Sequence, residues 1–164
     1  VGSTNAVGLY PSPPSRHPPI ALCWAASAPL DRPTAMTDAS TPHDHHLTLR
    51  VAPMPADVNA NGDIFGGWVM AQVDIAGGVA AARRARGRVA TVAVNAFVFK
   101  QPISIGDVVS FYTRIERVGR TSITVHVEVI AERDPSNPVC VKVTEATVTY
   151  VAIDARGVKR EVPA

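Results

Sequence analysis

Between Gly66 and Ala82 the chain carries only two polar side chains, Gln72 and Asp74. On a helical wheel Trp68, Val69, Met70, Val73, Ile75, Ala76, Val79 and Ala80 occupy nearly every direction, and a helix that is apolar all round is expected to be buried. The spacing predicts a helix from residue 67 or 68 to about 86, where Arg83, Arg84 and Arg86 suit the negative end of its dipole and Gly87 supplies a stop. Beyond it the hydrophobic period switches to two in four successive segments, 89–100, 107–117, 121–133 and 139–153. The third is the clearest: Ile123, Val125, Val127 and Val129 alternate with Thr124, His126 and Glu128. Short connections at Val118-Gly119-Arg120 and Asp134-Pro135-Ser136-Asn137-Pro138 suit antiparallel neighbours, because parallel strands need a longer crossover.

Upstream, residues 47–51 alternate like a short strand, and Pro53 and Pro55 then mark an irregular loop leading to the helix. One strand, one long helix and four long strands read as an α+β fold. A single helix covers only one face of such a sheet, so another subunit is expected to close the remaining surface or an edge, giving at least a dimer.

The 164 residues suffice for one ordinary domain, and a composition of 46% hydrophobic and 18% charged residues is that of a globular chain. A net charge of +2, with few aromatics and no basic runs among them, argues against a nucleic-acid partner. No apolar run reaches the roughly 18 residues of a membrane span, so no membrane role is expected. Cys23 and Cys140 lack metal-ligand spacing and fall in very different segments, which fits a reducing cytoplasm. Segment 20–28 ends in an A-x-A pattern like a secretory signal, but its apolar run is short and follows Pro18-Pro19.

Residues 1–46 hold eight of the fourteen prolines and show neither periodicity, so they are expected to form a disordered extension, with Met36 as an alternative start, ahead of a domain spanning 47–164. The run His43-Asp44-His45-His46 offers ligand types for a metal, but adjacent residues in a flexible tail are not pre-organised, and no metal site is expected.

Asp74 is the one charge in the helix, about two turns in and beyond the reach of capping and first-turn dipole effects. It either faces a seam or solvent, satisfied by an arginine or backbone amides, or serves in a partly dry cleft as a base or nucleophile. Spacing alone leaves both open. Gly66 and Gly67 bring free N–H donors to the helix start, suited to a developing oxyanion, and an electrophilic cradle and a carboxylate on one helix would serve acyl transfer. The glycines at 66, 67, 77 and 78 lower helix propensity and imply a close backbone approach by a wrapping sheet or a ligand.

These residues also carry a family likeness. Ala52-Met54-Pro55-Ala56-Asp57, Asn59-Ala60-Asn61-Gly62-Asp63-Ile64-Phe65-Gly66-Gly67-Trp68, Gln72-Val73-Asp74 and Pro102-Ile103-Ser104-Ile105-Gly106-Asp107-Val108-Val109 stand in the order found in the YciA-type acyl-CoA thioesterases of the hotdog-fold superfamily, which the chain resembles over residues 47–163. The resemblance implies a long central helix wrapped by an antiparallel sheet, an edge-to-edge dimer with active sites at its seam, and often a hexamer built as a trimer of dimers. It implies an acyl-CoA substrate, no cofactor beyond the coenzyme A of that substrate, Asp74 as the catalytic carboxylate and the Gly66 and Gly67 amides as oxyanion donors. Asp63 occupies the loop position where double-domain relatives carry a functional asparagine, which makes it a further catalytic candidate, with Asn61 beside it as a substrate-binding candidate. Asn95 stands where close relatives have a glutamate, which puts the charge near the seam and substrate preference in play. Arg88 and Arg120 are candidates for coenzyme A phosphates, against the alternative of solvated surface arginines.

Two rival functions remain. A hotdog dehydratase resembles a pattern with a histidine working beside an acid, and none of the five histidines falls in the loop or helix. A regulatory acyl-CoA-binding module would keep the fold without needing an isolated carboxylate in the helix.

Overall fold

The computed structural model describes residues 44–164; the preceding tail, with segment 20–28, Cys23, Met36 and His43, lies outside the described residues. The elements follow the expected order: β1 (His46–Val51), a 3-10 turn (Pro55–Asp57), α1 (Gly66–Ala85), β2 (Val89–Phe99), β3 (Val108–Val118), β4 (Ser122–Arg133) and β5 (Val139–Ala152). They form a five-stranded sheet ordered β1-β3-β4-β5-β2 with every pairing antiparallel. The hairpins β3–β4 and β4–β5 are those that short connections predict. β2 instead lies beside β5 at one edge of the sheet, away from its sequence neighbour β3, and β1 forms the other edge.

Alternation along β4 decides which face holds the core. Ile123, Val125, Val127 and Val129 are fully buried on the side of α1, where each contributes roughly 1.5–3 kcal/mol by leaving water. Thr124, His126 and Glu128 lie on the opposite, outer face. Tyr150, Val148 and Ala146 on β5 and Phe111 and Val109 on β3 extend the same core.

The helix lies across the sheet but is not enclosed by it, which corrects the expectation of burial on all sides. Val69, Val73, Ala76, Gly77, Ala81 and Ala85 are buried. Met70, Ile75 and Val79 are 44%, 50% and 36% exposed, because a single sheet reaches only one face of the cylinder. Val92, Val94, Val98 and Phe99 of β2 are exposed as well.

The ends of α1 are fixed by contacts distant in sequence. At its C-terminus Arg86 adopts the left-handed conformation and Gly87 donates to the Ala82 carbonyl. Arg160 donates to the Ala85 carbonyl at 2.7 Å and Arg84 to the Pro163 carbonyl at 2.6 Å, so the C-terminal segment is strapped across the helix end. At the other end, Ile64 donates to Ile103 in the β2–β3 crossover. That crossover is pinned by buried Asp107, which accepts from the Ser104 amide at 3.0 Å and from Arg133 at 3.3 Å.

Candidate active site

The loop into α1 is folded by Asn59. Its Oδ1 accepts from the amides of Asn61 (2.8 Å) and Asp63 (3.2 Å), while Gly62 takes a φ of +92°, a left-handed value that glycine adopts at low cost. The backbone of Asp63, through its amide and its carbonyl, makes these loop bonds. Phe65 then caps the helix without a side-chain bond, and Trp68 and Val69 donate back to its carbonyl. No backbone acceptor among the described residues takes the N–H of Gly66 or Gly67, leaving two donors at the positive end of the dipole.

Sequence reasoning did not foresee what else those glycines admit. A Cβ on Gly66 would meet the Phe99 ring at 3.3 Å, and one on Gly67 would meet the Phe65 ring at 2.6 Å. Two exposed aromatic rings therefore flank the helix start, with Phe97 stacked at a tilt on Phe99 at a centroid distance of 4.8 Å.

Asp74 stands on the open face of α1, exposed within the protomer rather than sealed in the core. Thr91 of β2 donates its hydroxyl to Asp74 Oδ1 at 2.6 Å. Tyr150 of β5, 1% exposed, directs its hydroxyl at the Asp74 backbone carbonyl (3.1 Å) and at Oδ1 (3.3 Å). Burial first, and then the neighbouring carboxylate, pushes the Tyr150 phenol well above its ordinary range, so it stays a proton donor. A Cβ on Gly77 would lie 2.3 Å from the Tyr150 hydroxyl oxygen. The close approach implied by the mid-helix glycines is thus that of a phenol to the helix backbone. Neither Thr91 nor Tyr150 was identifiable from sequence, since only strand register places them beside Asp74.

Of the sequence-derived candidates, Asn61, Asp63, Gly66 and Gly67 gather at the N-terminal end of α1. Asp74 does not join them: at 1.5 Å rise per residue it lies about 11 Å further along the axis. A cradle and a carboxylate on one helix cannot both touch one carbonyl group, which corrects that expectation for a single protomer. Asn95 accepts from Thr149 at 2.7 Å, and Thr149 meets Thr124 on the outer sheet face, so the sheet separates Asn95 from Asp74. Arg88, beyond the other end of α1, donates to the carbonyls of Asp154 (3.2 Å) and Ala155 (2.7 Å). Arg120 lies in the β3–β4 turn, 3.6 Å from Glu161 and 83% exposed.

On the outer face His45, just ahead of β1, packs its ring edge-on to His126 at 5.6 Å, close to Glu128. These three offer ligand atoms within 4.8 Å of one another. Lys142 already donates to Glu128 Oε1 at 2.7 Å, so an ammonium supplies the positive charge there.

Among the described residues no helix is long and apolar enough to cross a membrane. A thioesterase superfamily model matches residues 61–137. The acyl-CoA thioester hydrolase YciA of Salmonella typhimurium is 45% identical over 130 residues, covering 78% of this chain and 98% of that protein. An aspartate-to-alanine variant of HI0827, a hexameric broad-specificity acyl-coenzyme A thioesterase, superposes with a TM-score of 0.69 at 48% identity over 72% of this chain and 86% of that one. The hexameric thioesterase y2039 from Yersinia pestis gives a TM-score of 0.69 at 46% identity, covering 73% and 96%. With one long helix against a five-stranded antiparallel sheet and this degree of shared sequence, the chain belongs to the YciA-type acyl-CoA thioesterases of the hotdog-fold superfamily.

Proposed function

We propose that this chain hydrolyses acyl-coenzyme A thioesters to a carboxylic acid and coenzyme A, with Asp74 as the reacting carboxylate. The observation that carries the reading is Asp74 itself: a carboxylate on an otherwise apolar helix face, oriented by Thr91 and Tyr150 and left open beside the exposed surface of β2. As a general base it takes a proton from water while the water oxygen bonds to the thioester carbon and the carbonyl electrons move onto oxygen. The tetrahedral oxyanion then collapses, the C–S bond breaks, and the coenzyme A sulfur leaves with the proton returned by Asp74. As a nucleophile, Asp74 would form an acyl anhydride and release the thiolate before water attacks. Either route balances with water alone.

The separation of about 11 Å along α1 gives the reading its quaternary form. Amides at Gly66 and Gly67 that stabilise the oxyanion formed beside Asp74 must come from a second subunit, across a seam made by the exposed faces of α1 and β2. Joining two β2 edges would continue the sheet from one subunit into the next, and three such dimers would make a hexamer of the kind named for the relatives. Phe65 and Phe99 would line the same seam on the acyl side.

The test is thiol release from a chain-length panel of acyl-CoA esters by the wild-type protein and Asp74→Asn. The variant should assemble normally and lose at least about 10²-fold in hydrolysis, the low end for a positioned acid or base. Equal rates would remove Asp74 from the reaction. Binding of the esters with no thiol release by the wild type would make the chain a binding module instead.

A further inference from the structure

We infer that His45, His126 and Glu128 form a binding site for a divalent metal ion of the zinc class on the outer face of the sheet, clipping the chain ahead of β1 to the central strand β4. The inference does not rest on the thioester reaction, since His126 and Glu128 lie on the face opposite the core and α1. Two imidazoles and a carboxylate, with water in a fourth position, are an established zinc donor set. Their ligand atoms here lie within 4.8 Å of one another. His126 Nε2 and Glu128 Oε1 are 3.7 Å apart, on side chains 20% and 17% exposed. Ligand bonds of about 2.0–2.2 Å put two donors roughly 3.3–3.5 Å apart around a tetrahedral ion, so this pair is already near coordination distance.

His45 is the independent sign of a ligand. Neither of its ring nitrogens has a hydrogen-bond partner, and both are shut off from solvent. A neutral imidazole carries one donor and one acceptor, and burying them unpaired is costly. Coordination through one nitrogen supplies a partner that the protein does not. Burial, the largest influence on this ring, holds its pKa below the ordinary value and so favours the neutral form that binds metal.

The run His43-Asp44-His45-His46 has no fixed geometry of its own, but the fold supplies it for one member. His46 pairs with Thr113, and Arg114 with His126, so His45 heads the row that crosses β3 to β4 on the outer face. His46 falls on the other side of the chain, with the core-side Thr113. Neighbours orient the remaining two ligands. His126 Nδ1 lies 3.5 Å from the Thr147 hydroxyl, which leaves Nε2 for the ion, and Lys142 donates to Glu128 Oε1 at 2.7 Å. That bond does not use up the carboxylate: Oε2 accepts no hydrogen bond among the described residues, and the ammonium is shared with Glu145 at 2.9 Å. Lys142 and the exposed Arg114 oppose a cation, which sets the dissociation constant at about 10⁻⁶ to 10⁻⁵ M, weaker than a closed structural zinc site.

The experiment titrates zinc chloride into chelator-treated, tag-free full-length protein, read by calorimetry and by melting temperature. It compares wild type, His45→Ala, His126→Ala, Glu128→Gln and a His43→Ala/His46→Ala control. Wild type should bind one zinc ion per protomer, and about 100 µM zinc should raise its melting temperature by about 3 °C or more. Each ligand variant should weaken binding at least about tenfold and abolish the rise, while the control keeps both. Glu128→Gln preserves the side-chain shape, so it decides the matter if a histidine variant folds poorly. Cobalt(II) should give the visible bands of a four-coordinate site in wild type, and these should vanish in Glu128→Gln. The inference is overturned if wild type binds no zinc, or if His126→Ala or Glu128→Gln binds it as tightly as wild type. Loss of binding in the control would overturn it too, by placing the ion on the histidine run ahead of β1 alone.

Discussion

The Tyr150 hydroxyl reaches within 3.1 Å of the Asp74 backbone carbonyl oxygen, over the spot where Gly77 lacks a Cβ. Gly77→Ala tests what that gap is for. In an open helix the change would stabilise by close to 1 kcal/mol through propensity. Here the new methyl would fall 2.3 Å from the hydroxyl oxygen, so the ring or the helix must move. Overpacking costs about 1–3 kcal/mol, and leaving a buried phenol unpaired costs about as much again. The net expectation is destabilisation by about 1–4 kcal/mol, read as a lower melting temperature. A gain in stability would show that the gap has no packing role.

Val94 is 51% exposed on an edge strand. On a free surface, Val94→Lys would change stability by no more than about 0.5 kcal/mol and leave the mass in solution unaltered. If β2 meets another subunit, a lysine there is buried in an apolar seam, and sedimentation should show dissociation into smaller species. Hydrolysis should fall with it, because the two halves of the site would then lie on separate molecules.

Glu145 accepts from Lys100 and Lys142 at 2.9 Å each, and these ammonium groups hold its carboxyl down at about 2, from an ordinary value of 4.5. The folded state therefore keeps the anion where the unfolded chain has begun to bind a proton. Stability from this group is complete above pH 4.5 and is lost as pH falls from there towards 2. Glu145→Gln should flatten the melting temperature against pH across that window. The effect should be modest, since the side chain is 32% exposed. An unchanged slope in the variant would assign the acid sensitivity to other carboxylates.

The two candidate arginines should separate under mutation. Arg120 and Glu161 are 83% and 73% exposed, a class of ion pair whose median contribution is about 0–1 kcal/mol, so Arg120→Ala should leave the melting temperature in place. Arg88 bonds two carbonyls of the turn after β5, and Arg88→Ala should cost about 0.5–1.5 kcal/mol. A role in binding coenzyme A phosphates predicts a raised KM in either variant with kcat retained. An unchanged KM would leave that arginine a surface or strapping residue.

Much of the fold was legible because it depends on periods in the chain. The four alternating segments match β2 to β5 within about two residues, and the glycine-led apolar stretch is α1. The hairpins followed from short connections. The placement of β2 at the far edge did not, because an eight-residue crossover between Phe99 and Val108 is compatible with more than one route across the sheet.

The site divides along the same line. Asp74, Gly66 and Gly67 were visible because a charge in an apolar helix and glycines at its start break a local pattern. Thr91 and Tyr150 break none; a threonine and a tyrosine are ordinary residues for a strand. Asn95 was visible as a departure from a family pattern, but only the pleat puts it on the face opposite Asp74.

By itself the sequence determined which segments are helix and strand, which side chains of β4 face the core and which carboxylate is out of place, because these depend on residues a few positions apart. Only the tertiary structure decided that β2 lies beside β5, that Thr91 and Tyr150 meet Asp74, that Gly77 exists for a phenol and that one protomer cannot unite both ends of its own helix. Those facts turn on contacts between residues up to 76 positions apart, whose distance is set by strand order and register rather than by any local preference.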